Sequence, residues 1–177
     1  LLKWCENLAR FSHHFKRYRE GEGYQTNIDN FKVSYIETRS YSNNVGIGRI
    51  IFEISYCINA YIKLRKLASP DVIIATDPSQ FVGMLARKLA KLKNSYLILD
   101  LMDEWPELFE KALPKKFRIF SFFPVMFFKR LRQKNYNSAD GVIALGSNYY
   151  RLAMSLATNT EKGALIYNGI DCKEFDR

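Results

Sequence analysis

Two adjacent carboxylates, Asp103 and Glu104, stand between the apolar run Tyr96-Leu97-Ile98-Leu99 and the pair Trp105-Pro106. Past the end of a buried strand, a carboxylate can accept hydrogen bonds from ligand hydroxyls or take a proton from one. Asp103 is therefore the first choice for a catalytic group and Glu104 for a binding group. The same position also suits a residue that caps a turn while Trp105 anchors it in the core. Asp77, in Thr76-Asp77-Pro78-Ser79, and Ser147, in Gly146-Ser147-Asn148, follow two other apolar runs in the same way. Ser147 is read either as a hydroxyl offered to a ligand at a helix start or as a plain N-cap.

Two further segments carry residue types that attract anions. His13 and His14 lie in Ser12-His13-His14-Phe15-Lys16-Arg17. They contact a phosphate or another substrate group, or they belong to a solvated basic loop. On a strand, neighbouring histidines point opposite ways, so at most one would face a ligand. The second segment, Tyr41 to Arg49, contains Asn44 and Gly46 and runs into a helical pattern. A helix N-terminus can hold an anion on its free amides, but a lone G-x-G is a weak signal and more often an ordinary capping loop. Cys5, Cys57 and Cys172 form no C-x-x-C pair and have no histidine at metal-ligand spacing, so neither a metal site nor a disulfide framework is expected. A reduced, cytoplasmic setting fits them best.

A third anion-seeking stretch is aromatic. From Lys115 to Arg130, cations flank a phenylalanine-rich centre that is too short and proline-interrupted to span a bilayer. Lys115, Lys116, Phe117, Arg118, Phe120, Phe122 and Phe123 are expected to lie in the headgroup plane with their rings inserted. The residues after Pro124, including Phe127, Phe128 and Leu131, are expected to turn inward as a core helix. The net charge of +9 in 177 residues agrees with an anionic partner of some kind, and aromatics make up 15% of the chain.

The elements that must position these groups are legible as alternating patterns. Strands are expected at Asp71 to Ala75, Tyr96 to Leu99, Gly141 to Leu145 and Ala164 to Tyr167, and an edge strand at Lys32 to Glu37. Their continuous apolar runs predict burial on both faces. An amphipathic helix is expected from Phe81 to Lys93, with Val82, Leu85, Leu89 and Leu92 inward. Another is marked by Ile47, Ile50, Ile54, Ile58, Tyr61 and Leu64. Strand and helix in alternation imply right-handed βαβ units and a Rossmann-like, doubly wound parallel α/β sheet. Ligands of such sheets bind beyond the carboxyl ends of the strands, where Asp77, Asp103, Glu104 and Ser147 fall. No uninterrupted apolar stretch of about 20 residues exists, so no membrane-spanning helix is expected.

Several segments together resemble family 4 of the GT-B glycosyltransferases, in particular the N-terminal domain of enzymes that build bacterial surface polysaccharides. Pro70-Asp71-Val72-Ile73-Ile74-Ala75 with Thr76-Asp77-Pro78 is similar to one of its strand-and-turn segments. Leu99 to Glu107, reading LDLMDEWPE, resembles its D-x-x-D-x-W-P-E segment, and Ser138 to Ser147, reading SADGVIALGS, its third strand and turn. Ile166-Tyr167-Asn168-Gly169-Ile170-Asp171, with Phe175 following, resembles the linker between the family's two domains. Phe11 to Lys16 is similar to a segment after the second strand in one branch, which would put Leu1 to Cys5 in that strand.

The resemblance implies a retaining enzyme without an obligatory metal or other cofactor, using a nucleotide-sugar as co-substrate. This chain would be its acceptor-side half: residues 1–170 the N-terminal domain, truncated at its start, and 171–177 the beginning of the linker to a missing donor-binding domain. On that expectation the chain alone is catalytically inactive. Its partners would be a saccharide or lipid-linked acceptor, an anionic membrane surface at the inner face of the plasma membrane, and the missing domain. A competing class is a non-enzymatic basic binding domain engaging nucleic acid or membrane. Against nucleic acid, no recognised nucleic-acid motif occurs, and the phenylalanine run is more apolar than base stacking requires.

Overall fold

The computed structural model describes residues 25–28, 31–34, 36, 38, 47–77, 79–103, 118–157 and 162–167. In chain order the elements are β1 (Gln25–Ile28), β2 (Phe31–Ser34), α1 (Ile47–Leu64), β3 (Val72–Asp77) and α2 (Gln80–Lys93). They continue with β4 (Tyr96–Leu101), α3 (Arg118–Asn137), β5 (Gly141–Ala144), α4 (Ser147–Leu156) and β6 (Gly163–Leu165). β3 to β6 form an all-parallel sheet in the order β3-β4-β5-β6, so the chain is an α/β protein of the Rossmann-like class. Among the described residues the order runs one way only, without the reversal that would make the sheet doubly wound.

Neighbouring parallel strands laid down in one direction by right-handed crossovers place their connecting helices on one face. Burial follows that rule. Leu97, Leu99 and Leu101 of β4 and Val142 and Ala144 of β5 are buried. Gly163, level with Val142, points at Tyr150 and Met154 of α4. On the opposite face Tyr96 is exposed, and Ile98, Asp100, Gly141 and Ile143 are half-buried. The expectation that all the strands are buried on both faces therefore holds for Ile73, Ile74, Ala75 and Thr76 in β3 but not for β4 or β5. An apolar run marks a strand without telling how completely its second face is covered.

α2 shows why its sequence starts and stops where it does. Ser79 is extended and its hydroxyl accepts the amide of Val82 at 3.4 Å. Asn94 closes the helix in the left-handed region at φ 53°, which asparagine tolerates. Lys91 and Lys93 in the last turn offset the negative end of the helix dipole. Phe81, Val82, Leu85, Ala86, Leu89 and Ala90 are buried, but Leu92 is exposed, contrary to its place in the apolar period.

Two other expectations change. β2 pairs antiparallel with β1 in a separate two-stranded sheet rather than edging the main one. α1 spans the expected residues, yet it buries Phe52, Tyr56, Cys57, Ala60 and Leu64, while Ile50, Ile54 and Ile58 are exposed together with Ile51 and Ile62. This helix is apolar on two sides, and periodicity alone cannot say which one packs. The side it buries lies against α2.

α3 is held by polar as well as apolar contacts. Phe128 meets Phe81 edge to face, their centroids 5.5 Å apart. The fully buried Asn135 donates from Nδ2 to the carbonyl of Gln80 at 3.0 Å. Gly83 makes that approach feasible, because a Cβ there would stand 2.6 Å from Nδ2.

Candidate functional site

The carboxyl ends of the strands are level with one another. Asp77 pairs with Leu101, Leu101 with Ala144, and Ala144 with Leu165. Asp103 stands two residues beyond the end of β4, and Ser147 three beyond the end of β5. With strands spaced about 4.8 Å apart, the backbones of Asp77, Asp103 and Ser147 fall along one edge roughly 10 Å long. The sheet thus brings together three of the residues selected from the sequence. Asp103 is half-buried in a bend. Of Asp77 the backbone alone is described.

At β5 the helix start differs from expectation. Gly146, extended at φ −160°, is the N-cap of α4, and its carbonyl accepts from the Tyr150 amide at 2.8 Å. Ser147 is the first helical residue and is exposed, so it does not cap. Gly146 brings no side-chain acceptor of its own to the first-turn amides.

His13, His14, Asn44, Gly46, Glu104, Lys115, Lys116 and Phe117 lie outside the described residues. Arg118 and Phe120 are placed in α3 by backbone alone. Phe122 and Phe123 are exposed, as expected for surface contact. Phe127, expected inward with Phe128 and Leu131, is instead exposed, while Leu131 is buried and Phe128 packs on the core. The helix runs through Pro124 without changing face there, so the division into outer and inner residues follows the helical period and not the proline.

Sequence reasoning missed a polar network at the exit of β3. Glu53 of α1 receives Arg49 Nε on Oε1 at 3.0 Å and the Ser79 hydroxyl on Oε2 at 2.9 Å. Ser79 in turn caps α2, so one carboxylate ties the first turns of α1 to the loop that follows β3. The i,i+4 spacing of Arg49 and Glu53 was visible in the chain, but the bond from Glu53 to Ser79 spans 26 residues and has no local signal. One turn further along α1, burial pushes the Cys57 thiol up to about 12, and the nearby Glu53 carboxylate adds to the effect. Cys57 is free and buried, and at neutral pH it is a protonated core residue.

Within the same edge, Thr76 is buried and pairs in register with Asp100, so a hydroxyl and a carboxylate occupy adjacent strands one step before the exit loops. Among the described residues no group of three or more His, Cys, Asp or Glu side chains is placed to hold a metal ion. Among them, too, no helix is long and apolar enough to cross a membrane. A carboxylate at the carboxyl edge of a parallel sheet stands where ligands of such sheets bind, and there it could accept a hydrogen bond from a ligand hydroxyl. No protein-family model matches the chain, and no curated protein matches it.

Proposed function

We propose that the chain is the acceptor-binding half of a retaining GT-B glycosyltransferase that moves a sugar from a nucleotide-sugar to a saccharide acceptor. The acceptor is lipid-linked in this reading, and the enzyme works in the cytoplasm at the inner face of the plasma membrane. The reading is supported by the family-4-like segments Leu99 to Glu107 and Ser138 to Ser147, whose described parts fall at the ends of neighbouring parallel strands. The observation that carries it is the half-buried Asp103, two residues past β4 on the edge that also receives Asp77 and Ser147.

In this reading Asp103 accepts a hydrogen bond from the acceptor hydroxyl and holds it towards the anomeric carbon of the donor. Orientation of that kind lowers the barrier by removing rotational freedom before reaction. Withdrawal of the hydroxyl proton adds to it as bond formation proceeds. The donor's diphosphate is left to the domain that the resemblance places after residue 177.

The test is transfer by a longer polypeptide joining this chain to that second domain. Asp103→Ala should lower kcat/KM by a factor of about 100 to 10,000 in a variant that still folds cooperatively. Unchanged kinetics in the variant would remove Asp103 from the site. Transfer by the 177-residue chain alone would overturn the division of labour.

A further inference from the structure

The outer face of α3 collects apolar rings that nothing in the described structure covers. Phe122 is 58% exposed, Phe123 73% and Phe127 55%. Phe123 and Phe127 are one turn apart on the same face, and Arg130 and Lys134 continue that row at spacings of three and four. Phe122 stacks edge to face with Phe123, and Lys129 follows it nearly two turns on. Lys129, Arg130 and Lys134 are all exposed. The result is a surface with aromatic rings towards the helix N-terminus and cations towards its C-terminus.

Its place in the fold is specific. α3 receives the chain from β4 and returns it to the start of β5, so its N-terminal turns lie towards the carboxyl edge of the sheet. Phe128 already touches Phe81 in the first turn of α2, at that edge. The turns that carry Phe122, Phe123 and Phe127 precede it, so they border or overhang the edge that receives Asp77, Asp103 and Ser147.

We infer that this face of α3 docks on an anionic lipid bilayer, with Phe122, Phe123 and Phe127 in the headgroup-acyl boundary and Lys129, Arg130 and Lys134 against lipid phosphates. Charge complementarity selects the partner. Three exposed rings on one helix form an apolar patch of the kind that marks an interaction site, and cations on the same face suit an in-plane helix on an acidic surface. The other exposed apolar row, Ile50, Ile51, Ile54, Ile58 and Ile62 of α1, carries no aromatic ring, and its exposed cations, Arg65 and Lys66, come only in the turn past the end of the helix. Docking this way brings the strand exits to the membrane surface. The reason for a lipid partner comes from the transferase reading, but the surface stands without it, and vesicle binding is measured without sugar transfer, so the two fail separately.

The experiment is co-sedimentation of the full chain with vesicles of phosphatidylcholine alone or doped with phosphatidylglycerol. The wild type should pellet with the doped vesicles only, and high salt should release it. Each ring removed in Phe122→Ser, Phe123→Ser and Phe127→Ser should weaken binding by about tenfold or more, while Ile58→Ser on α1 should leave it unchanged. Lys129→Glu with Arg130→Glu should abolish the preference for phosphatidylglycerol, and this variant decides the matter if the phenylalanine variants misfold. The inference is overturned if the wild type stays in the supernatant, binds neutral vesicles equally well, or pellets without vesicles by self-association. It is overturned equally if the ring variants bind like the wild type.

Discussion

Replacing Gly83 with alanine pits two effects of opposite sign against each other. In a helix interior alanine is more favourable than glycine by about 1 kcal/mol. Here the new Cβ would stand 2.6 Å from Asn135 Nδ2 and 3.2 Å from its Cγ. Asn135 is fully buried, so its amide cannot swing into solvent. It must turn away from the Gln80 carbonyl, losing a bond of 3.0 Å. A buried donor left without an acceptor costs about 1–3 kcal/mol, and overpacking costs a similar amount. The clash therefore wins, and Gly83→Ala should destabilise the chain by about 2 kcal/mol or more, net of the helix gain. Urea unfolding would read this as a lower midpoint at unchanged slope. In an Asn135→Ala background the obstacle is gone, and the same substitution should raise stability by up to about 1 kcal/mol. The sign reversal is the decisive measurement. A higher midpoint for Gly83→Ala in the wild-type background would refute the account of how α2 and α3 meet.

Two further outcomes follow from the network at the β3 exit. Ser79→Ala removes the N-cap of α2 and the bond to Glu53, and should cost about 1–2 kcal/mol in urea unfolding. Ser79→Asp, an equally good cap in isolation, should fail to restore stability, because it sets a second carboxylate beside Glu53. Burial raises the folded Cys57 pKa to about 12 from an ordinary 9.0, so the folded state holds the thiol proton through a range in which the unfolded chain loses it. Stability is thus unaffected by this group below about pH 9 and falls as pH rises from there towards 12, by up to about 1.4 kcal/mol per unit. Subtracting the pH profile of Cys57→Ala, whose own slope lacks this component, isolates it. With Cys5 and Cys172 replaced by serine, Ellman's reagent should label Cys57 only on unfolding, and rapid labelling of the folded chain would contradict its burial.

Much of the scaffold was legible because its signals are local. β3 and α2 announce themselves through Val72-Ile73-Ile74, the cap residue Ser79 and the three-and-four spacing of Val82, Leu85 and Leu89. From those alternating elements the parallel sheet, and hence the edge with Asp77, Asp103 and Ser147, could be anticipated. What could not be read is which side of a doubly apolar helix packs. Ile50, Ile54 and Ile58 fit the helical period as well as Phe52, Tyr56 and Ala60 do, and only the neighbouring α2 decides between them. Phe127 illustrates the same point in α3. Proline suggested a boundary at Pro124, whereas the helix continues through it and Phe127 keeps the orientation of Phe123. The Glu53 to Ser79 bond was invisible because it joins residues that meet only after α1 docks.

The strand order has a consequence for how the chain reaches its native state. Each described strand of the main sheet adjoins the one made just before it, so among these strands none waits for a mate beyond the next crossover. Partners such as Val72 and Tyr96, Ile98 and Gly141, and Val142 and Gly163 are each separated by a single crossover, which keeps the loop-closure penalty below that of a sheet with reversed order. On the ribosome, β3 with α2 and β4 can settle while α3 is still being synthesised, and every later crossover then adds to an existing template. Assembly in order of emergence shortens the time for which Ile73, Leu97 or Val142 is accessible to other chains.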